Sequence, residues 1–310
     1  MESCLIGYTG FVGSNIAEQM PFDDLYNSKN INDIKGKDYD LIVCAGIRAE
    51  KYLANKYPED DLNAIKDLID ILETVACKRF VLISTIDVYD RPVGADEDTV
   101  IDEKMLHPYG KNRLFMEKWV SEHFDHYNII RLPALFGKGL KKNFVYDCLT
   151  KIPTMIMAPK FDELSAQDES AALSQYYKKD DNGNYVFDKK TNEADKAKLK
   201  AILEELGFTS LIFTDSRSRF PFYYLKFLSE HIKTTINNDI RLINFATEPI
   251  TAKEAAKEVF GIDFDNEKPN ADPINYDFKT KYYDLFHGSD GYLFDKETIY
   301  KQLKEFVGEF

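Results

Sequence analysis

Short, unbroken apolar runs alternate with stretches of helical periodicity through the first half of this chain. Cys4-Leu5-Ile6 is the first run, and after a glycine-rich turn Ser14–Met20 has the character of a helix. Asp24-Leu25-Tyr26-Asn27 predicts a short second strand. Asp40–Gly46 predicts a third, whose continuous apolar centre suits a strand covered on both faces. Over residues 59–76, Leu62, Ile65, Leu68, Ile69 and Leu72 fall on one side of a helix. Arg79–Ser84 predicts a strand, Tyr109 to His123 a helix, and Tyr127–Leu132 a further strand. Strands alternating with helices connect by right-handed crossovers, so the expected sheet is parallel, with ligands at the carboxyl ends of its strands.

The pattern loosens from Lys141 onward. Residues 161–206 are highly charged, contain the turn signal Asp180-Asp181-Asn182-Gly183-Asn184, and end in an amphipathic helix over Glu193–Leu206. Its Lys and Glu are a solvated face with no assigned chemistry. Strand-like pieces return at Ser210–Thr214 and Ile240–Phe245. Thr251-Ala252-Lys253-Glu254 opens a helix with a capping-box pattern, and the tail from Asp295 is another helix. The charged insertion has three possible roles: substrate lid, oligomer contact or mobile segment.

Composition narrows the partners. With 310 residues, 44% of them hydrophobic, the chain is long enough for a full core. A net charge of -13 argues against nucleic acid or an anionic membrane, but leaves room for an anionic small molecule in a local site. Cys4, Cys44, Cys77 and Cys148 lie far apart without metal-ligand spacing, so buried thiols in a reducing compartment are expected and no metal is assigned. No apolar run approaches membrane-spanning length and no leader is read ahead of the first strand, so a cytoplasmic location is expected.

Candidate chemistry begins at the first turn. In Gly7-Tyr8-Thr9-Gly10-Phe11-Val12-Gly13 the glycines are spaced three apart between a strand and a helix start. There the backbone N–H groups and the positive end of a helix can hold a pyrophosphate. Gly7 allows the sharp turn, Gly10 lets a phosphate approach, and Gly13 lets helix and strand pack closely. Ser84-Thr85-Ile86-Asp87-Val88-Tyr89 leaves the carboxyl end of a buried strand, and His107-Pro108-Tyr109-Gly110-Lys111-Asn112-Arg113 opens a helix. Tyr109 and Arg113, four apart, share a helix face, while Lys111 points away. A cation beside a phenol lowers its pKa toward the range a general acid/base needs, and Thr85 can hold the substrate oxygen against it. Together these groups suit hydride transfer at an alcohol or ketone next to a nicotinamide.

On these motifs the chain resembles the extended short-chain dehydrogenase/reductase family of nucleotide-sugar epimerases, dehydratases and reductases. Arg131-Leu132-Pro133-Ala134-Leu135-Phe136-Gly137 and Glu248-Pro249-Ile250-Thr251 extend the match in the family's order. The resemblance implies a Rossmann-type doubly wound parallel sheet over residues 1–140 and 210–248. It also implies a smaller substrate-binding part over 141–209 and 249–310 that carries the insertion at 161–206. It implies cofactor contacts from Gly7, Thr9, Gly10, Phe11, Val12, Gly13, Ala45, Gly46, Asn63, Ser84, Arg113 and Leu132. Thr85, Tyr109 and Arg113 take the catalytic roles, and a homodimer built through the Tyr109 helix is common in the family.

The departures are as informative. Arg113 stands where the family has lysine; arginine keeps the charge, but as a planar fork. Thr85-Ile86-Asp87 replaces the dehydratases' Thr-Asp-Glu, which disfavours 4,6-dehydration and leaves Asp87 as an epimerisation base or a turn aspartate. After the second strand, Asn27-Ser28-Lys29-Asn30 offers a cation and no carboxylate, so NADP is preferred, with NAD possible given the nearby Asp33. Arg217 and Arg219 suit a diphosphate or are a surface pair, and Asn143 borders the expected substrate. The expectation is an NAD(P)-dependent oxidoreductase or epimerase for a nucleotide-activated or phosphorylated sugar. Its rival is a catalytically weak dinucleotide-binding regulatory or scaffold protein.

Overall fold

The computed structural model describes residues 2–168, 170–188 and 190–310. The chain divides into two compact units. The first comprises Met1–Gly139, Arg219–Ile250 and Ile274–Phe310; the second comprises Leu140–Ser218 and Thr251–Pro273.

Six strands organise the first unit: β1 (Ser3–Ile6), β2 (Asp24–Tyr26), β3 (Leu41–Cys44), β4 (Phe80–Thr85), β5 (Tyr127–Leu132) and β6 (Leu242–Asn244). They lie in the order β6-β5-β4-β3-β1-β2, and every pairing is parallel. The helices are α1 (Phe11–Gln19), α2 (Lys51–Lys56), α3 (Pro58–Leu72), α4 (Pro108–His123), α5 (Leu228–Asn237) and α6 (Lys296–Glu309). This is the doubly wound α/β sheet the sequence predicts. Strand order reverses at β1, so the switch point lies between the carboxyl ends of β1 and β3.

The period-2 alternation of each strand supplies two cores. Cys4, Ile6, Ile42, Cys44, Phe80 and Leu82 pack against Ile65, Ile69 and Leu72 of α3 and Met116 and Val120 of α4. Leu5, Val43, Val81 and Ile130 face the other way, against Ile16 of α1 and Leu228 and Ile232 of α5. Proline in the first turn starts both α3 and α4 where no N–H partner is needed. In α3, Glu59, Asp60 and Asp61 add charge that favours a helix amino end.

Two segments fold differently from their sequence reading. The tail, expected with the substrate part, belongs to the sheet's unit from Ile274 onward. Asp277–Phe278 pairs with Val93–Ala95, and Phe306 of α6 packs on Phe136 and Tyr224, with ring centroids 5.7 and 6.0 Å away. Ser210–Phe213, expected as a strand, is a 3-10 turn closed by Ile212 N–H to Thr209 O and Thr214 N–H to Leu211 O, each 3.2 Å. Its apolar run fills space beside the helix Phe144–Thr150 instead of pairing with a strand. Phe222–Tyr224 pairs with Ala134–Phe136 in parallel.

The second unit contains the charged insertion and gives it its own core. Met155–Ile156, Tyr185–Phe187 and Tyr177–Lys179 form a small antiparallel sheet. Phe161, Leu164, Tyr177, Leu199 and Leu203 close over it, with Phe161 stacked on Tyr185 at 3.6 Å. The expected helix is present as Glu193–Glu205, capped by Asn192, and the capping box of Thr251 and Glu254 is complete in both directions.

Candidate active site

The glycine turn sits at the switch point, between β1 and α1. Gly7 has φ +89°, and a Cβ there would stand 2.4 Å from Ala45 O; a Cβ on Gly13 would stand 2.1 Å from Gly7 O. Both positions therefore require glycine on backbone grounds alone. Gly10 is different: its φ is an ordinary -77°, and an added Cβ would meet only Gly7 O, at 3.3 Å. It caps α1 without a side-chain acceptor, and the first turn of α1 carries no acidic residue. The positive helix end thus has no internal anion, and the open side of Gly10 leads to it. These are the features a dinucleotide's pyrophosphate needs, and the residues present fit it.

Around this turn, Ala45 supplies the carbonyl against Gly7, and Gly46 is exposed at the end of β3. Asn27 and Asn30 fold the loop after β2 on itself, with Asn27 N–H to Asn30 Oδ1 at 2.7 Å and Lys29 N–H to Asn27 Oδ1 at 2.8 Å. Ser28 and Lys29 are left exposed at its tip. Thr9 is exposed, whereas Phe11 and Val12 pack against the apolar face of the sheet.

The tyrosine helix is held in place at its first turn. His107 caps it, with Nδ1 accepting Gly110 N–H at 3.1 Å, and Tyr109 N–H donates to Asn55 Oδ1 at 2.9 Å. A Cβ on Gly110 would stand 2.2 Å from Asp87 O, so glycine here lets α4 press directly on the turn after β4. That contact brings Tyr109 beside Asp87. Thr85 ends β4, and its Oγ1 accepts Asp87 N–H at 3.1 Å, leaving its hydrogen for a ligand.

Arg113 stacks over Tyr109, its guanidinium carbon 4.4 Å from the ring centroid. It is only 4% exposed and forms a fork with Asp61 of α3, Nη1 to Oδ2 at 2.8 Å and Nη2 to Oδ1 at 3.0 Å, with a further bond to Arg48 O. Beside this pair lies a second one. Lys51 Nζ of α2 is 2.6 Å from Asp87 Oδ1 and 3.2 Å from the Tyr276 hydroxyl. His107 Nε2 approaches the same Asp87 oxygen at 3.9 Å.

The expected lowering of the Tyr109 phenol is not the outcome. Burial pushes it above its ordinary value; Arg113 and Lys51 pull it down, Asp87 pushes it up, and burial prevails. Tyr109 therefore stands protonated at neutral pH. Burial also works against the charge of Lys51, but Asp87 and Tyr276 outweigh it and hold the ammonium above its usual range. His107 is lowered by burial and by Lys51, against Asp87.

Several expected residues lie elsewhere. Asn63 is exposed on α3; Asp61, two positions earlier, is the residue that meets the tyrosine helix. Ser84 Oγ donates to Glu117 at 2.5 Å within a buried ion pair, Glu117 with Arg131. Leu132 is buried in the core. Arg217 and Asn143 belong to the second unit. There Arg217 forks onto Asp215 at 2.8 and 3.0 Å, and Asn143 caps the helix Phe144–Thr150. Arg219 belongs to the first unit, with its backbone bonded to Ile274 and Tyr276. Sequence reasoning missed Lys51, Asn55, Asp61 and Tyr276. Only Asp61 carried a signal: an acid in the first turn of α3 that a buried arginine would require.

A parallel sheet of this order, with a three-glycine turn at its switch point, is a fold this chain shares with solved structures. Residues 22–160 match the model of the NAD dependent epimerase/dehydratase family. No curated protein matches the chain. A dTDP-4-dehydrorhamnose reductase from Bacillus anthracis, solved with NADP, has the same fold at 16% identity and TM-score 0.62, covering 100% of this chain and 99% of that one. A UDP-N-acetylglucosamine 4-epimerase from Methanobrevibacter ruminantium, in complex with UDP-N-acetylmuramic acid, aligns at 16% identity and TM-score 0.58 over 99% and 97%. An NAD-dependent NDP-hexosamine 5,6-dehydratase aligns at 13% identity and TM-score 0.58 over 100% and 99%.

Proposed function

We propose that this chain is an NADP-dependent oxidoreductase or epimerase that acts on a nucleotide-activated or phosphorylated sugar. The observation that carries this reading is the meeting, on one edge of a parallel sheet, of the open Gly10 cradle and the Tyr109–Thr85–Asp87 cluster. The reductase, epimerase and dehydratase of the same fold, one solved with NADP and one with a UDP-sugar, support the substrate class.

A nicotinamide cofactor supplies hydride exchange at the sugar carbon when bound. Gly7, Gly10, Gly13 and the amino end of α1 hold its diphosphate, and Lys29 with Ser28 suits a 2′-phosphate better than the bare ribose of NAD. Thr85 orients the sugar oxygen through its free hydroxyl hydrogen. Tyr109, protonated at neutral pH, gives its proton to that oxygen as the carbon is reduced and takes it back in the reverse step. Tyr109 is buried, which strengthens its contact with that oxygen. A chain that binds the dinucleotide with little chemistry is the second reading, favoured by the way Asp61 restrains Arg113.

The test is turnover of a nucleotide-sugar panel, followed as loss of reduced-nicotinamide absorbance for net reduction and by separation of the product sugar for epimerisation, which returns the hydride, with NADP and NAD affinities from calorimetry. Tyr109→Phe is expected to lower turnover by about 100-fold or more and to leave NADP affinity unchanged. Unchanged turnover in that variant, or NAD binding tighter than NADP, overturns the corresponding assignment.

A further inference from the structure

The amino end of α4 is capped by a histidine. Such positions favour the short oxygen acceptors of Ser, Thr, Asp and Asn, yet His107 fills this one, with Nδ1 accepting Gly110 N–H at 3.1 Å. A ring nitrogen that accepts a hydrogen bond carries no hydrogen, so the proton of the neutral imidazole is fixed on Nε2. Burial and the Lys51 ammonium favour that neutral ring, against Asp87. The capping bond therefore leaves a hydrogen-bond donor on the far nitrogen, which stands 3.9 Å from Asp87 Oδ1. That gap is too long for a direct hydrogen bond, and it is short enough for a single oxygen to touch both groups at about 2.8 Å. Lys51 and Tyr276 also meet Asp87 at Oδ1, at 2.6 and 3.4 Å, and no described residue bonds Oδ2. Asp87 is thus a paired carboxylate with acceptor capacity to spare. Both side chains reach solvent, His107 with 38% exposed and Asp87 with 20%. The gap also lies beside the phenol: the rings of His107 and Tyr109 are 6.2 Å apart between centroids and 28° from parallel.

We propose that His107 is a further substrate-binding residue that determines specificity. Its Nε2–H donates to a sugar hydroxyl that in turn donates to Asp87, a hydroxyl distinct from the oxygen served by Tyr109 and Thr85. This rests on the nucleotide-sugar reading and deepens it by naming a group the sugar must carry. A hydroxyl accepts and donates at one atom; an ether, a carbonyl or a deoxy carbon does not. The pair therefore selects sugars with a free hydroxyl at this place.

Two changes remove the donor and keep the cap. One is His107→Ser, whose hydroxyl accepts Gly110 N–H; the other is histidine methylated at Nε2, introduced at position 107, whose Nδ1 still does. With the nucleotide sugar that the wild-type protein turns over, each is expected to raise KM about tenfold and to lower kcat less. NADP affinity and the urea transition should stay unchanged. Monodeoxy analogues of that sugar give a readout that a capping role alone would not move. One of them should bind the wild-type protein about tenfold more weakly than the parent sugar, and the loss should shrink to about threefold or less in His107→Ser. Nitrogen-15 spectra of labelled histidine should show the Nε2–H tautomer at position 107 at neutral pH. An Nδ1–H tautomer, a KM rise matched by an equal loss of NADP affinity, or the same losses for every analogue in both proteins overturns the proposal. A wild-type protein that turns over no nucleotide sugar overturns the functional reading and this proposal with it, whereas turnover with unchanged KM in both variants overturns this proposal alone.

Discussion

The three glycines of the turn should separate into two kinds when each is changed to alanine. Gly7→Ala forces a left-handed residue at φ +89° and sets a Cβ 2.4 Å from the carbonyl oxygen of Ala45. The backbone conformation costs about 1–2 kcal/mol and the overlap about 1–3, so a loss of roughly 2–5 kcal/mol is expected. Gly13→Ala gains some helix propensity, but its Cβ at 2.1 Å from Gly7 O must move backbone. Gly10→Ala has no backbone strain at φ -77°, and its Cβ, 3.3 Å from Gly7 O, asks that oxygen to give by only a few tenths of an ångström. Its stability cost is about 0.5 kcal/mol, the loss of a good cap. Its methyl group nevertheless projects where the pyrophosphate must approach, so NADP affinity should fall at least tenfold, about 1.4 kcal/mol. Trp119, the single tryptophan, lies on α4 beside Phe124 and reports unfolding of this unit in urea; calorimetry reads the affinity. Gly10→Ala with full NADP affinity would show that the turn is not a phosphate site. A destabilised Gly10→Ala beside a stable Gly7→Ala would refute the backbone reasoning.

Two further outcomes follow from buried charge. Asp61→Ala leaves the Arg113 guanidinium, 4% exposed, without its carboxylate and should destabilise the protein by about 3–5 kcal/mol. A loss below about 1 kcal/mol in the Trp119 urea transition would contradict a buried fork at Arg113. His231, buried beside the Tyr223 hydroxyl at 2.8 Å, is pushed by burial from 6.5 down to about 4. The unfolded chain then takes up a proton below pH 6.5 that the folded chain refuses. Stability present above 6.5 should therefore fall toward pH 4 by about 3 kcal/mol, and His231→Phe should remove that part of the slope. An unchanged slope would contradict it.

The sheet was legible because its strands are short apolar runs between helical repeats, a pattern set by burial on two faces. The shape of the glycine turn was legible for a related reason: Gly7 and Gly13 stand where an added Cβ would meet backbone. The partners of Tyr109 were not. Lys51 and Tyr276 meet Asp87 only because chain segments far apart in sequence converge there, and a lysine in a six-residue helix looks like any solvated lysine. Asn63 came from the resemblance alone, which carries no information on Asp61, the residue of α3 that meets the tyrosine helix. The strand expected at Ser210–Thr214 failed because a short apolar run fits a buried turn as well as a strand. The raised phenol of Tyr109 could not be foreseen, since burial is a property of the packed chain and it outweighs the cations in the motif.

The fork between Arg113 and Asp61 ties two positions into one hereditary unit. A lysine at 113 could meet one oxygen of Asp61 but not both, nor reach Arg48 O in the same pose. An uncharged residue at 61 would strand the guanidinium. Either change alone passes through a weakened protein, so descendants of this sequence should keep both residues or exchange both. Among relatives, the identity of residue 61 should then foretell the residue four places after the tyrosine, although the two lie 52 positions apart along the chain.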